Sequence, residues 1–368
     1  MRLLTHTWRP RTRGPASLMT GLFLIVALLG SVLVACGDDD SDATDEATND
    51  DATAADDAGG QLVVYSGRNE ELIQPILDDF SEETGITVDV RWGDTAELAL
   101  LIDQEGDRSP ADVFISQSPG AVGFLTENER LGQLPEEITS LVGEQDAADD
   151  GTWVGVTGRV RVLVYNTDLV DPETLPDSVL DLTDSEYAGQ VALAPTNGSF
   201  QDFVTVLRNE IGNEETLEWL EGMAAGNPPT FDGNTAIVEA VGRGEVPMGL
   251  VNHYYAFAAK DEAPDLPVEN HFFARGDYGS TLLSSAVSLV EGAANPEAAT
   301  RLAEFLLSDQ GQDYFTNETF EFPLRAGAEP NPALPDLEDI QVTRIEFGEL
   351  GGGLQPTIDL IDESGLTG

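Results

Sequence analysis

The sequence predicts an α/β protein built from two lobes. Short apolar strands alternate with amphipathic helices from Leu62 onward, the pattern of mixed sheets covered by helices. About 310 residues carry that pattern, more than one compact core usually holds. No internal repeat interrupts it.

The elements follow in order. Strands are predicted at Leu62–Tyr65, Thr87–Trp92, Ala111–Ser116, Val160–Tyr165, Val191–Ala194, Val246–Val251 and Ser284–Val290. A first helix spans Leu72–Glu83, with Leu72, Ile73, Ile76, Leu77 and Phe80 on one stripe and Gly85 as its stop. Pro75 is expected to mark its first turn. Thr95–Gln104 repeats the stripe through Leu98, Leu101 and Ile102. Asn213–Met223, Asn234–Val241 and Pro296–Leu307 read as further helices. In such sheets ligands sit beyond the carboxyl ends of strands, and a cleft between lobes is a preferred place.

The amino-terminal segment reads as a processing signal. Arg2, Arg9, Arg11 and Arg13 precede an apolar run from Leu18 to Val34, with no acid before Asp38. The run ends Leu33-Val34-Ala35-Cys36-Gly37, which resembles a lipobox, so residues 1–36 form a lipoprotein signal with Cys36 as the acylated residue. An ordinary signal peptide or an uncleaved anchor is the alternative. Cys36 is the only cysteine, which excludes an internal disulfide and a thiolate-ligated metal. Residues 37–60 are an acidic tether without aromatic or basic residues, too poor in apolar surface to fold.

The formal net charge is −51. Most of it belongs to the folded part, and Lys260 is the only lysine. Nucleic acid is therefore not expected as a partner, and the membrane is expected only through the lipid anchor. A surface of this kind suits high salt, where screening limits self-repulsion.

Three strand-to-helix transitions carry polar residues. They are Tyr65-Ser66-Gly67-Arg68-Asn69, Ala194-Pro195-Thr196-Asn197-Gly198-Ser199-Phe200, and Asn252-His253-Tyr254-Tyr255. Free N–H groups at a helix start suit an anion, although Gly-Ser turns commonly just make turns. Adjacent tyrosines do not share one helix face, yet both can reach one ion where a strand hands over to a helix. A phenol is a poor ligand near neutral pH, with an ordinary pKa of about 10. Beside a trivalent cation it becomes a hard phenolate ligand. The alternative is two aromatics packed in a core. No Gly-x-Ser-x-Gly elbow, Cys-His pairing or His-Glu-x-x-His motif occurs, so an enzyme is not expected.

From Leu62 to near the C-terminus the chain resembles the bacterial ferric-ion-binding proteins, the solute-binding components of iron ABC transporters. The likeness rests on Val64-Tyr65-Ser66-Gly67-Arg68, Glu105-Gly106-Asp107-Arg108-Ser109-Pro110-Ala111-Asp112-Val113-Phe114 and Arg159–Asn166. Pro195-Thr196-Asn197-Gly198-Ser199-Phe200 and Asn252-His253-Tyr254-Tyr255 complete it. The resemblance implies a two-lobed type II periplasmic-binding-protein fold, each lobe a mixed sheet flanked by helices, joined by a two-strand hinge. It places residues 61–158 plus about 274–325 in the first lobe and 159–273 plus about 326–368 in the second.

The resemblance also implies Tyr254 and Tyr255 as ligands of Fe³⁺. It implies Arg68, Arg159, Asn197, Gly198, Ser199, Asn234 and Asn252 around a carbonate-like or phosphate-like anion. Two positions depart from the family: Asn69 stands where some members offer a His, and Gln117 where they offer a Glu. The variant expected is therefore one that relies on a bound anion. Two phenolates leave Fe³⁺ one positive charge, a carbonate dianion takes the set to minus one, and a guanidinium neutralises it. Asn69, Gln117, Arg161 and His253 are expected nearby without ligating. Arg68 could instead form a salt bridge, and one of Arg159 and Arg161 could brace the hinge, with Arg159 favoured for the anion. Tyr65 and Tyr165 read as core or hinge aromatics. The expected role is extracytoplasmic capture of Fe³⁺ by a lipid-anchored monomer and delivery to an ABC permease. A ferric chelate, a phosphonate or a polyamine is the alternative ligand.

Overall fold

The computed structural model describes residues 60–340, 342–344 and 353–367. The signal segment, Cys36 and the tether as far as residue 59 lie outside the described residues. The chain enters through β1 (Gln61–Ser66), α1 (Glu70–Thr84), β2 (Thr87–Trp92), α2 (Thr95–Glu105), β3 (Val113–Ser116), α3 (Pro119–Glu127) and α4 (Glu136–Thr139). Parallel pairing of β1 with both β2 and β3 builds the edge of a first sheet.

The strand β4 (Val154–Asn166) then runs through both halves of the molecule. Its first half pairs with β8 (Thr281–Leu289), and its second half pairs with β6 (Met248–Asn252) and β7 (Val268–His271). β5 (Val191–Ala192) lies parallel to β6. The strand order is β2-β1-β3-β8-β4-β6-β5, parallel and antiparallel mixed. All thirteen residues of β4 are buried, which fits a central strand covered on both faces. The chain recrosses between β7 and β8 through residues 272–280, which include the 3-10 turn Tyr278–Ser280.

Helices cover the sheets. α5 (Gly198–Ile211), α6 (Asn213–Ala225) and α7 (Asn234–Gly242) follow β5, and α8 (Tyr254–Glu262) follows β6. After β8 come α9 (Pro296–Leu306), α10 (Asp309–Asn317), β9 (Phe322–Pro323), α11 (Leu337–Ile340), β10 (Thr343–Arg344) and α12 (Leu354–Ser364). β9 and β10 pair with β4 and β8. Val64, Val113, Val160 and Val287 share one core with α1 and α9, where the rings of Phe80 and Phe305 lie 5.4 Å apart. Leu163, Leu250, Phe203 and Trp219 anchor another under α5 and α6.

Local chemistry explains most boundaries. The Asn69 side chain accepts the Glu71 N–H at 3.2 Å and starts α1. Gly85 ends it at φ 72 with its N–H on the Ser81 carbonyl. Pro75 is not in the first turn but inside α1. It is exposed, so the Glu71 carbonyl it leaves unpaired can turn to water. β3 begins at Val113 rather than Ala111, because the Asp112 carboxylate accepts from Val63 N and Asn295 N. β6 starts at Met248 because Pro247 has no N–H for the ladder. β4 starts earlier than predicted: Gly155 and Gly158 hide its apolar pattern. A Cβ at Gly155 would stand 2.9 Å from Asp146 O, so packing explains that glycine.

Candidate functional site

The carboxyl ends of β1 and β3 and the starts of seven helices, α12 at Leu354 among them, converge on one cavity of about 220 Å³. Gly67, Asn69, Asp94, Thr95, Gln117 and Ser118 line it from the first sheet, Asn197, Gly198, Ser199, Asp202, Asn234 and Tyr255 from the second, and Arg159 from β4. Asn69 caps α1, Asp94 caps α2, Ser118 precedes α3, Asn197 caps α5, and Asn234 and Tyr255 lie in the opening turns of α7 and α8. Each longer helix turns its positive end toward the cavity, a setting that favours an anion.

Thr157, Arg159 and Arg161 share one face of β4, as strand alternation requires, and of the three Arg159 lines the cavity. Thr157 donates to Glu321 at 3.0 Å. Arg159 donates to the Gln117 carbonyl and, at 3.4 Å, to Asp202. Arg161 donates to Asn252 at 3.2 Å, Asn234 at 3.3 Å, Ser199 at 3.4 Å and the Leu250 carbonyl at 3.0 Å. Burial, and then neighbouring Arg159, lowers Arg161 to about 9. Arg161 thus braces the polar loop from behind. Arg159 lines the cavity, and its Nε and Nη1 are buried without a hydrogen-bond partner, a state that costs free energy while they stay unpaired.

The loop opening α5 is internally fixed. Asn197 Oδ1 accepts from Ser199 N at 3.1 Å and Ser199 Oγ at 2.6 Å, and Asn234 Nδ2 donates to the same oxygen at 3.3 Å. A Cβ on Gly198 would meet nothing within 4 Å, so the helix start is open there. Asn252 is fully buried behind this wall, its N–H on Asn234 Oδ1.

Tyr254 and Tyr255 begin α8, where the chain leaves β6. Their ring centroids lie 4.3 Å apart with planes 30° from parallel. The neighbours that a regular helix would splay are therefore side by side. Tyr254 is buried and its hydroxyl accepts from Gln117 Nε2 at 3.2 Å. Burial, reinforced by Tyr254, pushes the Tyr255 phenol well above 10, against the opposing pull of Arg159. Without a cation Tyr255 stays neutral.

Arg68 and His253 are engaged away from the cavity lining, whereas Asn69 and Gln117 belong to it. Arg68 does not line this cavity. Its Nη1 and Nη2 reach the two Glu321 oxygens at 3.2 and 2.5 Å, and Nη1 also reaches Thr157. The alternative reading of a salt bridge is what the structure shows, but buried rather than at the surface. His253 accepts Val160 N–H on Nδ1 at 3.1 Å, which leaves Nε2–H for the Phe320 carbonyl at 2.8 Å. Both ring nitrogens are occupied, and burial lowers the ring to about 4. Asn69 spends its carbonyl on the α1 cap. Asp202, Ser118 and Glu321 were not foreseen. Asp202 lies three residues after Ser199 on α5, a spacing that places both on one face. Glu321 had no local signal. Among the described residues no group of three or more His, Cys, Asp and Glu could hold a metal ion.

A mixed α/β fold with a polar cavity at helix starts between two sheets joined by β4 defines a solute-binding protein of the type II periplasmic class. The family model for bacterial extracellular solute-binding proteins matches residues 65–313, and the chain belongs to that family. It is a binding protein of extracytoplasmic transport, not an enzyme. The chain is 30% identical over 308 residues to an Fe(3+)-binding periplasmic protein of Serratia marcescens, covering 83% of this chain and 90% of that one. It is 32% identical over 276 residues to a major ferric iron-binding protein of Neisseria meningitidis, covering 74% and 83%. The structure is similar to iron-bound HitA from Pseudomonas aeruginosa, with a TM-score of 0.80, 31% identity, and coverage of 83% and 99%. Among the described residues no helix is long and apolar enough to cross a membrane.

Proposed function

We propose that this protein captures Fe³⁺ with a small oxyanion outside the cytoplasm and delivers it to an ABC permease. Tyr254 and Tyr255 are the phenolate ligands. Arg159, Asn197, Gly198, Ser199 and Asn234 hold the anion, while Arg161 and Asn252 support that wall. Gln117 orients Tyr254. Arg68 takes no part in the anion set, because Glu321 occupies both its terminal nitrogens.

The observation that carries this reading is the juxtaposition of Tyr255, stacked on Tyr254, with an Arg159 that lacks partners on two nitrogens. Hard oxygen donors select a hard trivalent cation over softer metals. The guanidinium matches a planar carbonate or a phosphate through paired N–H groups. Competition between the protein and a ferric chelator, with and without added hydrogencarbonate, tests the reading. Tight Fe³⁺ binding that strengthens with the anion supports it, and indifference to the anion in wild type contradicts it. Iron that arrives and stays as a citrate complex would favour the chelate alternative.

We place the lobe boundaries at residues 158/159 and about 273/274; the change of β4 partner from β8 at Val160 to β6 at Arg161 supports a division near the first. Acylation at Cys36 keeps the monomer on the outer face of the membrane. Cys36→Ser should release the protein into the soluble fraction; retention on washed membranes would refute the anchor.

A further inference from the structure

The walls around the anion place are mostly donors: amides, hydroxyls and a guanidinium. Asp202 breaks the pattern. It lines the same cavity, is 3% exposed, and belongs to the face of α5 that carries Ser199. Ser118 Oγ–H donates to its Oδ1 at 2.5 Å, and Arg159 Nη2 approaches its Oδ2 at 3.4 Å. A carboxylate can only accept hydrogen bonds. In a place meant for any oxyanion it would be a liability, since like charges in a desolvated site repel strongly. Beside its pairing with Arg159, it can serve an anion that carries an O–H to donate, which makes a short, charge-assisted bond.

We propose that Asp202 makes the anion place selective for an oxyanion that retains a proton, hydrogencarbonate or hydrogenphosphate, over one that has none, such as sulfate. This inference rests on the ferric reading above and specifies its anion. Arg159 holds the deprotonated oxygens with Nε and Nη1, the two nitrogens without partners, while Asp202 receives the O–H. Charge balance favours hydrogencarbonate of the two: iron, two phenolates and that monoanion sum to zero, hydrogenphosphate leaves minus one, and in both cases Asp202 offsets Arg159. Burial raises the Asp202 carboxyl to about 6, so near pH 7.5 it is mostly ionised and can accept.

The test measures Fe³⁺ affinity by chelator competition near pH 7.5 with hydrogencarbonate, phosphate or sulfate as the only added oxyanion. Wild type is expected to bind iron at least tenfold tighter with hydrogencarbonate or phosphate than with sulfate. The hydrogencarbonate and phosphate arms tell which protonated anion is used. In Asp202→Asn the amide can donate to sulfate, and the preference should shrink at least tenfold, with Asp202→Ser as the second variant should the first not fold. Equal support by sulfate in wild type overturns the proposal without any variant. So does an unchanged preference in folded Asp202→Asn, which leaves the ferric reading standing. Absence of any anion effect on iron overturns both.

Discussion

Replacing Arg68 by Leu separates two roles for this residue. Arg68 is 3% exposed and Glu321 is fully buried. Burial alone would raise the Glu321 carboxyl; Arg68, helped by Thr319 and Thr157, overcomes it and holds the group below its ordinary value. Removing the guanidinium leaves a buried carboxylate with two hydroxyl donors, Thr157 at 3.0 Å and Thr319 at 2.9 Å. Breaking a buried pair on one side costs about 3–5 kcal/mol. For a domain of this size each kcal/mol moves the melting temperature by about 2 °C, so Arg68→Leu should melt about 6–10 °C lower. The sign with pH is fixed. A carboxyl held low in the folded state adds stability above its unfolded pKa and loses it on acidification. The deficit of the variant is therefore full at neutral pH and narrows below the ordinary carboxylate range. Arg68→Met with Glu321→Leu should recover much of the loss. Thermal melts of the apo protein at neutral and acidic pH, with iron titrations beside them, decide the matter. A variant that melts like wild type but loses its hydrogencarbonate dependence would refute this reasoning and return Arg68 to the anion.

The other predictions concern the cavity itself. Tyr255→Phe should weaken Fe³⁺ by more than about 100-fold, beyond the 10–100-fold that a supporting group contributes; an unchanged chelator-competition constant would contradict ligation. Burial holds the Tyr255 phenol protonated well above 10, so iron must displace its proton and affinity must rise with pH. Unbuffered loading should release about one proton per phenolate formed, and a silent pH trace counts against phenolates. Gly198→Ala puts its Cβ in open space, so the melting temperature should hold while anion dependence falls. Gly67→Ala would place Cβ 1.9 Å from Thr95 Oγ1 and should cost about 1–3 kcal/mol or more in the melt.

How much could be read from the chain follows from where each signal lies. α1 was legible because its stripe, the Asn69 cap and the Gly85 stop are all local. The tyrosine pair and Asn197-Gly198-Ser199 were legible as polar residues where strands end. β4 was read too short because Gly155 and Gly158 interrupt its apolar run, although β8 pairs with it there. The transition at Asn197-Gly198-Ser199 implies a helix, but it gives no bounds for α5 and no sign that Asp202, one turn further on, reaches the cavity. Glu321 lies 253 residues from Arg68. Only the fold brings them together, so an arginine beside a conspicuous loop read as an anion binder.

Two adjacent phenolates that bind ferric iron beside an anion held by Arg159 should leave a visible signature. An absorption spectrum of purified protein, recorded before and after ferric iron and hydrogencarbonate, tests it most directly. The loaded protein should be pink to red with a visible phenolate-to-iron band, absent in the Tyr254→Phe/Tyr255→Phe double variant. A stoichiometrically loaded wild type that stays colourless, or a double variant with the same band, would contradict it.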